Sequence, residues 1–176
     1  MKKILKIIGG VVTGIVVVGL VGTMAYWGYL SYKYGQHLPS IEITVNGGER
    51  EYNRFIPKNA PEGPLSLVVL LNGGGAEAWP FPQQRQWEEL GEEVGIVIAV
   101  PVGKRLPDNE GAWQLNTDAD SYQDIDYINA IISDIGASHP LDETKLYAVG
   151  YSLGSMFSYE LACQMSDRFA AIASFA

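Results

Sequence analysis

The residue of this chain with the clearest chemical potential is Ser152, inside Gly150-Tyr151-Ser152-Leu153-Gly154. An apolar run, Lys145 to Val149, precedes this pentapeptide, and a helical pattern from Met156 to Met165 follows it. A serine at a tight strand-to-helix turn has to take up a strained backbone, and flanking glycines let the turn close. Such a turn lifts the hydroxyl above the C-terminal edge of a sheet, where sites in α/β proteins form. The following helix aims its free N–H groups and positive dipole end at the same spot. This is the setting of an acyl-accepting nucleophile; the competing reading is a tight turn with an incidental serine.

A second pattern, Asn72-Gly73-Gly74-Gly75, ends the apolar run Leu67 to Leu71. Acyl transfer develops an oxyanion, which needs preorganised N–H donors. The amide of Leu153 supplies one such donor, and the glycine loop supplies the other at Gly74. The alternatives are a flexible connection or a phosphate cradle. No Gly-Lys-Ser/Thr follows these glycines, so a nucleotide is set aside.

These loops need strands and helices to hold them. Ile41 to Val45 alternates apolar and polar, Asn46-Gly47-Gly48 signals a turn, and Arg50 to Ile56 resumes, predicting a hairpin. Buried strands are predicted over Leu67 to Leu71, Ile96 to Val100, Lys145 to Val149 and Ala170 to Phe175. Helices are predicted over Gln83 to Val94, with Trp87, Leu90 and Val94 on one face, and over Asp120 to Ala137, with an isoleucine stripe. The alternation predicts a mostly parallel sheet with helices on both faces.

The N-terminal end is of another kind. Ile7 to Tyr32 holds no charge, and Lys6 and Lys33 bracket it. Such a run is long enough to cross a bilayer, which takes about 20 helical residues. Tyr26, Trp27, Tyr29, Tyr32 and Tyr34 suit an interfacial belt. Lys2, Lys3 and Lys6 predict a cytoplasmic N-terminus with the body outside. Residues 1–33 are thus expected to be a single-pass cell-membrane anchor, 34–40 a stalk and 41–176 the body. The alternative is a secretory signal cleaved near Ala25, after Thr23-Met24-Ala25, which would release the body.

The body resembles the α/β-hydrolase superfamily, and within it the poly(3-hydroxybutyrate) depolymerase and feruloyl esterase-like group. The matching stretches are Tyr52 to Pro57, Leu67 to Gly75, Ser121 to Asp134, Leu146 to Met156, and on through Leu161-Ala162-Cys163 to Ala173. The resemblance covers about residues 41–176. It implies a serine ester hydrolase without cofactor, with Ser152 as nucleophile and Leu153 and Gly74 as oxyanion donors. Asn72-Gly73 stands where the group usually has His-Gly. In this superfamily the acid and histidine follow the serine, yet no histidine lies among the 22 residues after Gly154. His37 falls in the stalk, and His139 precedes the strand that leads to Ser152. The 176 residues are therefore expected to hold the first part of the fold, to lack the C-terminal part with its acid and base, and to be inactive alone. The other reading is a non-catalytic, membrane-anchored binding protein on the same scaffold.

Trp79 and Trp113, in loops near the strand ends, and Tyr151 beside the serine are candidate lining of a substrate pocket; the tryptophans can equally be packing residues. Asp118, Asp120, Asp124 and Asp126 lack the glycine and glutamate of a calcium loop. They read as a solvated helix start, and no metal is expected. Cys163, the single cysteine, excludes an intrachain disulfide and is expected to be buried. The net charge is −8, and residues 34–176 carry 8 basic and 20 acidic groups. That balance excludes a nucleic-acid partner.

Overall fold

A computed structural model describes residues 2–35, 37–75, 81, 83–105, 112–115 and 123–175. The chain divides into two units, Met1–Gly35 and Gln36–Ala176. The first is one helix, α1 (Lys2–Tyr34). Its segment Ile8–Lys33 is long and apolar enough to cross a membrane.

The second unit contains β1 (Ser40–Val45), β2 (Gly48–Phe55), β3 (Leu65–Leu71), α2 (Gln84–Val94), β4 (Ile96–Pro101), α3 (Gln123–Ser138), β5 (Leu141–Tyr151), α4 (Leu153–Gln164) and β6 (Ala171–Phe175). The strands form one sheet in the order β1-β2-β4-β3-β5-β6. The β1–β2 hairpin and the β2–β4 pair are antiparallel; β4–β3–β5–β6 is parallel. The predicted hairpin and central strands are therefore present.

Strand alternation sends side chains to opposite faces, and two cores result. Leu65, Leu67, Val69, Leu71, Leu146 and Ala148 pack with the isoleucine stripe of α3 and with Phe157 and Leu161 of α4. Val68, Leu70, Ile98, Val100 and Val149 pack with Phe81 and Trp87 on the other face. Helices thus cover both faces, as the pattern predicts.

Four expectations change. Helix α2 buries Gln84, Glu88 and Gly91, while Leu90 and Val94 are exposed. Glu88 is held there by hydrogen bonds from Gln84 at 2.9 Å and with His37 at 2.6 Å. Strand β6 is mostly exposed rather than buried, because it lies at the sheet edge. Cys163 is exposed. Asp124 is fully buried and paired with Arg50 at 2.9 Å, so it is no solvated helix-start residue; Asp118 and Asp120 lie outside the described residues.

Candidate active site

Strand β5 runs straight into Ser152, and α4 begins at Leu153. Ser152 has φ 52° and ψ −120°. A β-carbon-bearing residue in such a sparsely populated region costs of order 1–3 kcal/mol, so the surroundings must hold it there. They do so on two sides. The Ser152 amide donates to the Phe175 carbonyl at 2.9 Å, the last rung between β5 and β6. The Ser152 carbonyl accepts from the Ser155 amide at 2.9 Å and the Ser155 hydroxyl at 2.6 Å, closing the first turn of α4.

The two flanking glycines are required by space. A β-carbon on Gly150 would stand 2.2 Å from the Gly154 carbonyl oxygen, and one on Gly154 would stand 2.1 Å from the Leu71 oxygen and 2.5 Å from the Asn72 oxygen. The strand thereby passes directly under α4, and α4 sits directly on the end of β3. This close approach brings the glycine loop to the serine: a β-carbon on Gly73 would lie 3.3 Å from Ser152 Cβ, and one on Gly74 would lie 3.7 Å from Leu153 Cδ2. The structure therefore brings Ser152, Leu153 and Gly74 together at one strand edge. Leu153 opens α4, where backbone N–H groups have no acceptor within the helix.

Tyr151 is partly exposed and tilts against Phe175, with ring centroids 5.6 Å apart. Phe81 meets the same Phe175 edge-on at 6.0 Å. Trp79 lies outside the described residues. Trp113 is fully buried, stacked at 5.0 Å on Phe157 of α4, and donates its indole N–H to the Asn72 carbonyl at 2.6 Å. That is the packing alternative of its two sequence readings.

Neither histidine reaches the serine. His37 is bonded to Glu88 of α2. His139 precedes β5, and Ser152 follows that strand's far end. The regular ladder Leu146–Tyr151 alone spans about 17 Å at roughly 3.3 Å per residue step. Among the described residues no cluster of three potential metal ligands occurs.

Sequence reasoning missed a hydroxyl chain behind the elbow. Ser158 Oγ lies 2.6 Å from Ser174 Oγ and donates to the Ser155 carbonyl at 2.7 Å, joining α4 to β6. It also missed the indole bond of Trp113. The available signal was general: a buried tryptophan needs an acceptor for its N–H.

The body is similar in overall fold to solved esterases. One is a thermostable esterase, with TM-score 0.59 and 19% identity, over 77% of this chain and 40% of that one. Another is the acetyl xylan esterase from Aspergillus awamori, with TM-score 0.63 and 18% identity, over 79% of this chain and 51% of that one. The chain has the α/β-hydrolase fold. No family model matches it. Among curated proteins it is similar to a bifunctional acetylxylan esterase/xylanase of Neocallimastix patriciarum, at 29% identity over 84% of this chain and 22% of that protein. It is also similar to feruloyl esterase B of Piromyces equi, at 30% identity over 63% of this chain and 21% of that protein. The chain thus spans less than a quarter of the length of either relative.

Proposed function

We propose that Ser152 is the nucleophile of an ester hydrolase. One observation carries the reading: a serine held at φ 52° where β5 meets α4, with the glycine loop against it. In the reaction Ser152 Oγ attacks the ester carbonyl carbon, and the carbonyl oxygen takes up negative charge facing the amides of Leu153 and Gly74. The serine proton passes to a base and then to the departing alcohol. The acyl-serine is hydrolysed by water, which restores the hydroxyl. Neither His37, bonded to Glu88, nor His139, which precedes β5, is placed to be that base. The similarity to acetylxylan and feruloyl esterases supports short acyl or aryl esters, free or on a polymer, as substrates. Helix α1 anchors the body at the outer face of the cell membrane, with Lys2 and Lys3 inside; cleavage near Ala25 would release the same body.

A fluorophosphonate probe tests the nucleophile. Protein expressed from the natural gene is expected to be labelled, and Ser152→Ala to remain unlabelled; equal labelling of both overturns the assignment. The placement of both histidines favours a second reading, a binding protein with no base for its serine. Absence of labelling in the wild-type protein would select that reading.

A further inference from the structure

We propose that Trp113 is a positioning residue for the glycine loop that faces Ser152. The inference rests on the reading of Ser152 as nucleophile. It assigns to Trp113 a task distinct from lining a pocket.

The Asn72 carbonyl stands at the junction of three parts. It accepts the Trp113 indole N–H at 2.6 Å. It also faces Gly154, where an added β-carbon would lie 2.5 Å away. Its peptide leads directly into Gly73, where an added β-carbon would lie 3.3 Å from Ser152 Cβ. In a trans peptide the C=O and N–H point in opposite directions within one plane. A bond that fixes the Asn72 oxygen therefore also fixes the direction of the Gly73 N–H and the path of the chain into Gly74. Glycines supply no side chain to anchor that path, so the restraint has to come from a neighbour.

Trp113 is itself held from two sides. Its ring stacks on Phe157 of α4 at 5.0 Å and an interplanar angle of 4°. The next residue, Gln114, donates its amide to Asp124 Oδ2 at 2.7 Å, and Asp124 is fixed by buried Arg50. The indole thus links the loop that would carry one oxyanion donor to the helix that would carry the other. A stacked ring and a short hydrogen bond thus add a second restraint on the two donors, beside the close approach of Gly154 to the end of β3. A misplacement of about 1 Å in such a site costs up to about 100-fold in rate.

The test uses Trp113→Phe, which keeps an aromatic ring for Phe157 while removing the N–H and part of the indole's bulk. Ile131→Val in α3 serves as a control for general destabilisation. In protein expressed from the natural gene, Trp113→Phe is expected to lower kcat by about 10- to 100-fold on a nitrophenyl ester. KM is expected to stay within about twofold, because ground-state binding is untouched. Amide hydrogen exchange at residues 73–75 is expected to accelerate while that of β3 is unchanged. Ile131→Val is expected to lower Tm and to keep wild-type kcat. Wild-type kcat in Trp113→Phe, or a loss matched by Ile131→Val, overturns the positioning role. Ser152→Ala run in parallel separates the two levels. If it is dead while Trp113→Phe is fully active, only the role of Trp113 falls; if it retains turnover, the nucleophile and the role built on it fall together.

Discussion

Replacing Gly154 by alanine is the sharpest perturbation of the elbow. The added β-carbon would stand 2.1 Å from the Leu71 oxygen, 2.5 Å from the Asn72 oxygen and 2.6 Å from the Leu71 carbonyl carbon. All three are backbone atoms at the end of β3, so no side-chain rotation relieves the clash. Restoring ordinary contact needs a shift of about 1 Å between α4 and β3. Overpacking of this kind costs about 1–3 kcal/mol, which lowers Tm by several degrees in a body of this size. The shift also parts the Leu153 amide from the glycine loop, and about 1 Å of misplacement is worth about 100-fold in rate. Gly136→Ala is the matched control. It lies in α3 with nothing within 4 Å of its added β-carbon, and is expected to stabilise by about 0.5–1 kcal/mol. The assay pairs thermal melting with the rate of fluorophosphonate labelling. Gly154→Ala is expected to melt lower and label about 100-fold more slowly. If it melts with the wild type and labels at the same rate, the close approach is not what assembles the site.

Asp124→Ala is expected to cost about 3–5 kcal/mol in urea unfolding, because it leaves the buried Arg50 charge without its acceptor; replacing both residues with apolar ones should recover most of that. Asp142 is held at a pKa of about 2, first by the Lys145 hydrogen bond and then by those of Thr144. Its folded pKa lies below the ordinary 3.8, so its contribution to stability is present above that value and lost as pH falls towards 2. Asp142→Asn is expected to flatten the acid limb of the stability curve in that window, and an unchanged limb would show that the turn plays no part. With neither His37 nor His139 placed to take the Ser152 proton, residues 1–176 are expected to leave a nitrophenyl ester at its background rate; hydrolysis that disappears in Ser152→Ala would reveal an unrecognised base.

The sheet was legible because branched apolar runs such as Leu67 to Leu71 have no other stable home than a strand covered on both faces. Ser152 was legible because its spacing from two glycines coincides with a change of period from strand to helix. The orientation of α2 was not. Its Trp87, Leu90 and Val94 have helical spacing, yet the helix turns Gly91 to the sheet. A β-carbon there would stand 2.8 Å from the Ile96 oxygen and 3.2 Å from the Phe55 ring. Close packing outweighed the apolar stripe, and buried Glu88 is hydrogen-bonded to His37, 51 residues away in sequence. A comparable separation in sequence hid the partnership of Trp113 with Asn72, a bond between residues 41 apart. Periodicity reports on neighbours within a turn or two of the same element, and it is silent on which loop a side chain will meet.

The rung between the Ser152 amide and the Phe175 carbonyl bears on when the site comes into being. Synthesis delivers Ser152 well before Phe175, and parallel pairing needs the whole of α4 and the turn after it to be in place first. Until β6 docks, nothing on that side holds the serine in its strained backbone, and relaxation to an ordinary conformation is downhill. The nascent chain is therefore expected to pass through a stage with β3, β4 and β5 paired and the serine still slack. The strained serine is thus fixed from that side by a strand that carries none of the proposed chemistry itself.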